Sequence, residues 1–184
     1  MANTVIMNGF FGVKQAFWVS DPDVTTGWYA GQLFKVDSIG TSGTGTLKGA
    51  VVDRGPFVAL NASSGAAIAG VALENSSDAS TAVAGMAHPS GSKVTILHGH
   101  SSFHVTFGGT TTSATTRQST GAPWEVEVES ASLMDTLYAS ANGKYCSFVG
   151  GAAVTQDTIP QAIGYISQVP AAGNDWTLGV VLFG

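Results

Sequence analysis

The sequence predicts an all-β fold: a single small β-barrel or β-sandwich of about ten short strands, with an N-terminal arm. Two observations support this fold class. Short apolar segments alternate with connections rich in Ser, Thr, Gly and Ala, and no segment has an apolar pattern of helical period and length. The chain of 184 residues suffices for one domain with a sizeable core. We assign residues 1–25 to an arm or to first strands, and residues 26–184 to the β-domain.

Three strands are predicted between residues 68 and 107, where apolar segments are separated by small-residue connections. In the last of them Phe103, Val105 and Phe107 alternate with polar residues, as in a half-buried strand. Near the start of the domain, Phe34 and Val36 are expected on the inner face of another strand. The predicted strands are residues 31–37, 48–53, 57–60, 68–73, 93–97, 103–107, 137–139, 145–149, 163–166 and 176–183.

Residues 124–129 show the clearest alternation in the chain and are predicted as a further strand. Trp124, Val126 and Val128 are expected to face inward, and the three glutamates between and after them to form a solvated stripe. The pair Asn142-Gly143 between two apolar segments predicts a hairpin.

Two other segments carry weaker local signals. The run at residues 176–183 is apolar on both faces, which predicts either a central strand or one covered by a partner. Residues 108–116, rich in Gly and Thr, are predicted to form an exposed loop.

Large aromatic residues are concentrated in the N-terminal segment, which lacks clean alternation. Such side chains either close the core of their own domain or bury in a neighbouring molecule, where aromatic residues commonly contribute most of the binding energy. Both alternatives stay open. The predicted partner-binding residues are Phe10, Phe11, Phe17 and Trp18.

The low content of charged residues is the most informative property of the composition. Hydrophobic residues make up 44% of the chain, whereas Asp, Glu, Lys and Arg make up only 10%, against roughly 25% in an average soluble domain. Protein interfaces are depleted in Lys, Glu and Asp, so this favours a subunit packed against others over a monomer whose surface is rich in Ser and Thr. With a net charge of −5 and 7 basic residues that form no cluster, nucleic-acid binding is not expected.

The sequence also indicates where the protein is made. Its single cysteine, Cys146, cannot form an internal disulfide, and it is expected to be a small buried side chain. No basic segment precedes an apolar run at the N-terminus, and no stretch approaches the ~20 apolar residues that span a bilayer. We therefore expect synthesis in a cytoplasm and no membrane association.

Candidate catalytic and metal-binding residues are few. His98, His100 and His104 would share a face of one straight strand and hold a metal, but Gly99 and the following serines predict a bend that separates them. No nucleophile elbow, phosphate-binding loop or zinc-protease motif occurs in the sequence. We expect no enzyme activity, no metal and no cofactor.

Several stretches resemble the head decoration, or capsid cement, proteins of tailed bacteriophages. The likeness extends over most of the chain from about residue 30 onward. It rests on structural patterns in residues 31–36, 69–74, 93–100, 142–148, 163–170 and 176–180.

The resemblance implies a small β-protein that binds the outer surface of the major capsid shell and stabilises it against internal DNA pressure. The implied partner is the major capsid protein. The implied assembly is a homo-oligomer, with a trimer favoured and a dimer second, located on the exterior of the virion after synthesis in the host cytoplasm.

The main alternative is a carbohydrate- or receptor-binding β-module of a phage tail or fibre. In that case Trp28, Tyr29, Tyr138 and Trp176 would be exposed and would stack on sugar rings. A hydrolytic enzyme and a self-assembling shell subunit are further alternatives.

Overall fold

The computed structural model describes residues 3–8, 12–19, 27–39, 56–60, 68–76, 93–109, 113–119, 121–140, 143–147 and 162–183. These residues form eleven strands, one short α-helix and two 3-10 helices. The all-β prediction is therefore confirmed. The strands are β1 (Thr4–Met7), β2 (Val13–Val19), β3 (Leu33–Ile39), β4 (Pro56–Leu60), β5 (Gly70–Ala72), β6 (Lys93–His98), β7 (Ser101–Thr106), β8 (Thr136–Ala139), β9 (Tyr145–Ser147), β10 (Ala162–Gln168) and β11 (Thr177–Leu182). The helices are α1 (Ala114–Ser119) and the 3-10 helices Val126–Ser130 and Ala172–Asn174.

Six strands form an antiparallel sheet in the order β1-β7-β11-β10-β8-β9. The longest ladder joins β7 to β11, from Ser101 opposite Leu182 to Thr106 opposite Thr177. Strand β11 is paired on both sides, so the doubly apolar run near the end of the chain is a central strand. Of the two explanations predicted for that run, a central strand and a strand covered by a partner, the first is therefore correct.

The other five strands form a second sheet, β2-β4-β3-β5-β6, which closes because β6 also pairs with β2. Its pairings are antiparallel except that of β2 with β4, which is parallel. The chain thus combines a six-stranded open sheet with a small closed sheet.

One apolar core joins the two sheets. Leu33, Val71 and Leu97 of the closed sheet pack in the same cluster as Phe103 and Leu178 of the open sheet. An adjacent residue on each of these closed-sheet strands points the other way, because side chains alternate across a strand. Phe34, Ala72 and Ile96 accordingly pack in a second cluster with Val19, Trp28 and Val94.

The N-terminal residues are bound to the rest of the chain. Asn3 is buried, and its amide nitrogen donates hydrogen bonds to the carbonyl oxygens of Gly121 (2.9 Å) and Ala30 (3.3 Å). Its side-chain oxygen accepts a hydrogen bond from the backbone of Gly108 (3.1 Å). The described part of residues 1–25 contains strands β1 and β2. Strand β1 pairs with β7, and strand β2 pairs with β4 and β6.

Turns were the most predictable local features. Gly99 has φ +81° and lies in the bend between β6 and β7, so the expected turn is confirmed. Strands β8 and β9 are antiparallel neighbours, with Tyr138 opposite Cys146, so the hairpin around Gly143 is confirmed as well. The predicted strand at residues 48–53 lies outside the described residues.

Four predictions fail. Residues 124–129 are not a strand, because Val126–Ser130 forms a 3-10 helix in which Val126 is 47% exposed and Val128 is buried. The glutamates there are half-buried instead of solvated. Val36 is 48% exposed although Phe34 is buried, and the pairing of β3 with β4 shifts register just after Val36. The predicted loop at residues 108–116 runs into helix α1, which begins at Ala114.

No helix within the described ranges is both long and apolar enough to cross a membrane.

Candidate docking surface

The six-stranded sheet lacks ionised side chains. None of the residues in its six described strands is Asp, Glu, Lys or Arg. The strands of the closed sheet differ, since β2, β3 and β6 each contain at least one lysine. Among the described strands, all charged residues therefore lie in the closed sheet.

Burial along the strands shows which side of this sheet faces away from the core. In β7 every second residue is buried, beginning with Ser101, and the residues between them are half-buried. Register then extends this side across β1, β10 and β11, because directly opposed residues share a face. We call this side the outer face; it comprises Thr4, Ile6, Ser102, His104, Thr106, Tyr165, Thr177, Gly179, Val181 and Phe183.

The outer face combines apolar side chains with polar groups that bond to one another. Ile6 is 55% exposed and Phe183 is 47% exposed, and the ring of Phe183 lies 6.1 Å from that of Tyr165. The hydroxyl oxygens of Thr106 and Thr177 are 2.9 Å apart, within hydrogen-bond distance. The desolvation of charged groups is the main cost of burying a polar surface. Covering the outer face avoids most of this cost, because its described strands contain no Asp, Glu, Lys or Arg.

The two edges of this sheet are different. At the β9 edge the backbone of Tyr145 bonds to residues 123 and 125, so that edge is covered. Strand β1 has a neighbour on one side only among the described strands. Its four residues, Thr-Val-Ile-Met, contain no charge and no proline, the usual protections of an edge strand against pairing with another chain.

A second apolar feature is the turn Ser132 to Asp135, which we call the apolar turn. The carboxylate of Asp135 accepts a hydrogen bond from the backbone of Ser132 (2.7 Å), and the backbone of Asp135 donates one back (3.2 Å). Between them Leu133 is 62% exposed and Met134 is 67% exposed. Met134 has φ +69°, a left-handed conformation that costs a non-glycine residue about 1–2 kcal/mol.

The predicted N-terminal partner-binding residues are only partly described. Phe17 is half-buried and packs against the second cluster, that of Phe34 and Ile96. Its ring is edge-on to that of His98, with 6.2 Å between the ring centroids. The backbone of Trp18 pairs with that of Phe57. Phe10 and Phe11 lie outside the described residues. The structure therefore places Phe17 against its own domain.

The histidines are separated by the bend at Gly99, with His98 at the end of β6 and His104 within β7. Within the described part of the chain, no group of three or more His, Cys, Asp or Glu side chains is placed to hold a metal ion. His104 instead lies next to Asn8, the residue that follows β1, with its Nδ1 2.7 Å from the Asn8 amide nitrogen.

Cys146 is buried, as expected from its place in an apolar strand. Burial is the main cause that raises the pKa of its thiol to about 12, and the nearby carboxylates of Glu127 and Glu125 add to the effect. Desolvation also raises the pKa of Glu127 and lowers that of Lys144. A thiol held protonated in this way is a poor nucleophile at neutral pH.

Two of the aromatic residues considered for sugar stacking are not available. Trp28 is buried, with its ring edge-on to Phe34 at 5.8 Å. The face of Trp176 is covered by the guanidinium of Arg117, whose Cζ lies 3.3 Å from the ring centroid. Sequence reasoning missed this buried arginine, because its partner Glu129 was expected to be solvated.

Comparison of the chain with protein-family models, with curated proteins and with solved structures found no match.

Proposed function

We propose that the protein is a capsid decoration protein, which binds the outer surface of a bacteriophage head through the outer face of its six-stranded sheet and stabilises the shell. The observation that carries this proposal is the complete absence of ionised residues from the six described strands of that sheet. A surface meant to stay in water is normally covered with Lys, Glu and Asp.

The segregation of charge distinguishes this proposal from that of a free monomer. A protein whose surface is simply rich in Ser and Thr would carry its few charges on both sheets. Among the described strands, lysines occur only in those of the closed sheet. Depletion of charge with exposed Ile and Phe is the pattern of a protein interface core, and Ile6 and Phe183 supply it on the outer face.

The open edge of β1 supplies a place for a neighbouring copy. An uncharged edge strand pairs readily with a strand of another chain, and a homo-oligomer on the capsid would use it without covering the outer face. Many copies on one shell add their small stabilising contributions, so weak binding per copy is sufficient. We favour a trimer, with a dimer second.

Capsid binding tests the proposal directly. The protein is mixed with expanded shells of the major capsid protein encoded nearest to its gene, and bound copies are counted after sedimentation. Ile6→Lys places a charge in the proposed interface and should weaken binding at least about tenfold. Val13→Lys is the matched control, since Val13 is 54% exposed against 55% for Ile6 but lies on β2 of the closed sheet.

The proposal is overturned if the wild-type protein does not sediment with these shells. It is also overturned if the Ile6→Lys and Val13→Lys variants bind equally. Specific capture of one carbohydrate in a glycan array, without capsid binding, would favour the tail or fibre module instead.

A further inference from the structure

Strand β1 has backbone groups that point away from its own sheet. The N–H of Asn8 donates to the carbonyl oxygen of Ser102 (2.9 Å), which is the next position of the register between β1 and β7. Along an antiparallel strand, successive residues direct their hydrogen bonds to opposite sides. Ile6, two residues before Asn8, therefore also bonds to β7, whereas the N–H and C=O groups of Val5 and Met7 point to the free edge.

The start of this edge is closed by a side chain. The backbone N–H of Asn3 donates to the side-chain oxygen of Asn75 (3.1 Å), and the carbonyl oxygen of Asn3 accepts a hydrogen bond from the Asn75 amide (2.8 Å). Val5 and Met7 are half-buried, and no described residue bonds to their outward groups. Unbonded groups along a strand edge are a template for pairing with a strand of another chain.

We propose that two copies of the chain pair edge to edge through β1, antiparallel and about a two-fold axis at Ile6. This inference deepens the role in assembly proposed above for the β1 edge and rests on it. In this register Val5 of one copy lies opposite Met7 of the other, so the outward N–H groups of both residues find carbonyl acceptors in both copies. An axis at Val5 would instead set Met7 opposite Asn3, whose backbone groups are already bonded.

A second copy suits this edge. Residues 4–7 contain no charge, so identical strands meet without repulsion. The axis places the two Ile6 side chains next to each other on the outer face, where each is 55% exposed in the single chain. A directly opposed pair without mutual hydrogen bonds brings its side chains closest together. The two six-stranded sheets then form one continuous sheet with both outer faces on the same side.

The described edges favour a dimer over a ring of three. A ring would join β1 of one copy to a different edge of the next copy. The edge at β9 is covered by residues 123 and 125, and the other sheet is closed. Among the described strands, β1 therefore has only another β1 to pair with. This pairing gives a dimer, the second of the two assemblies named with the proposed function.

Cysteine cross-linking of the full chain, without capsids, tests the register. Ile6→Cys places two thiols at the axis, where opposed Cα atoms are about 4.5 Å apart, a distance that a disulfide spans. Thr4→Cys is the matched control, since it is exposed on the same face of the same strand, but its counterpart lies four residues, or about 13 Å, further along the second strand. Cys146 is buried and does not compete. Under mild oxidation Ile6→Cys should form the cross-linked dimer at least about tenfold faster than Thr4→Cys.

Hydrogen exchange tests the pairing in the wild-type protein. The amides of Val5 and Met7 should exchange at least about tenfold more slowly at roughly 1 mM protein than at about 20 μM, with the Ile6 amide, bonded to β7, as the internal reference. Val5→Pro removes one outward N–H, which an edge strand tolerates, and should abolish the concentration dependence at Met7. Because the side chain of Val5 lies on the inner side, this variant leaves the outer face unchanged.

The inference is wrong if Ile6→Cys and Thr4→Cys cross-link at the same rate or if neither cross-links. It is also wrong if the amides of Val5 and Met7 exchange equally fast at both protein concentrations. A dimer that does not sediment with capsid shells would support this inference and overturn the proposed function. Capsid binding by a chain whose Ile6→Cys variant does not cross-link would do the reverse, so the two proposals fail independently.

Discussion

Replacing Arg117 by alanine removes the centre of a buried polar cluster that connects three segments of the chain. The guanidinium of Arg117 donates two hydrogen bonds to the carboxylate of Glu129, from Nε (3.0 Å) and from Nη2 (2.5 Å). Its plane covers the ring of Trp176, and Trp124 Nε1 donates a third hydrogen bond to Glu129 (3.2 Å). The cluster thus joins α1, the 3-10 helix Val126–Ser130 and the residue before β11.

The magnitude follows from burial. The side chain of Arg117 is 2% exposed and that of Glu129 is 12% exposed, so Arg117→Ala leaves a carboxylate buried without its counter-ion. Breaking a buried pair in this way costs about 3–5 kcal/mol. For a chain of this length, each kcal/mol lowers the melting temperature by about 2–4 °C, so we expect a decrease of roughly 6–20 °C.

Urea unfolding followed by tryptophan fluorescence measures this loss, because Trp124 and Trp176 both contact the cluster. Lys14→Ala, which removes an exposed cation on β2, is the control and should change stability by less than about 0.5 kcal/mol. The double variant Arg117→Met, Glu129→Leu should recover part of the loss, because no unpaired charge remains, while the buried Nε1 of Trp124 loses its acceptor. A loss below about 1 kcal/mol for Arg117→Ala, or a double variant less stable than Arg117→Ala, would refute the reasoning.

Four further predictions concern stability. Asn3→Asp removes the two hydrogen bonds that the amide donates and should cost about 2–4 kcal/mol in urea unfolding; a cost below about 0.5 kcal/mol, which is typical of a surface substitution, would mean that Asn3 does not fix the N-terminus. Burial raises the pKa of Cys146 from 9.0 to about 12. The stability that the neutral thiol confers is therefore complete below pH 9 and is lost as the pH rises toward 12. Over that pH range Cys146→Ala should lose less stability than the wild-type protein. Burial likewise raises the pKa of Glu127 above 4.5, so the stability of Glu127→Gln relative to wild type should increase between pH 4 and pH 7, and a constant difference would contradict this. Met134→Gly relieves a positive φ and should stabilise by up to about 1 kcal/mol; if the apolar turn also contacts the capsid, the same variant should bind shells more weakly.

The features predicted correctly from sequence are those fixed by neighbouring residues. Alternation of Phe103, Val105 and Phe107 with polar residues places β7, because an antiparallel strand with one buried face needs that period. Gly99 and Gly143 both adopt positive φ, which glycine accepts without strain. Gly143 marks the hairpin of β8 and β9, and Gly99 marks the bend between β6 of the closed sheet and β7 of the open sheet. The doubly apolar run at residues 176–183 predicted a strand that is covered on both faces, and the pairing of β11 on both sides shows that of the two explanations the central strand applies.

The failure at residues 124–129 has a long-range cause. The pattern there is indistinguishable from that of a half-buried strand, but Glu129 pairs with Arg117 and Glu125 accepts a hydrogen bond from Ser140 (2.9 Å). These partners lie 12 and 15 residues away in sequence. Together with the bridge between Trp124 and Tyr145 they hold the segment in a 3-10 helix, a case of tertiary contacts overriding local preference.

The candidate docking surface was only partly accessible to sequence reasoning. The low total charge was visible in the composition and indicated assembly. Its segregation was not, because assigning strands to two sheets requires the register, for example that Ile6 lies opposite His104 and His104 opposite Gly179. The aromatic residues of the N-terminal segment gave a stronger signal in sequence, yet Phe17 packs against its own closed sheet.

Segregation is a stronger argument for assembly than low charge itself. A chain with 10% charged residues can be a soluble monomer if Ser and Thr cover its surface. Such a monomer has no reason to exclude charge from one sheet, since lysine on an outward-facing strand position improves solubility and blocks pairing at edges. The outer face and the β1 edge carry no lysine, so they lack both the added solubility and the protection against pairing. This disadvantage disappears when another surface covers them. The comparison of Ile6→Lys with Val13→Lys tests this argument, because the two substitutions add the same charge at nearly equal exposure, one on the outer face at the β1 edge and the other on the closed sheet.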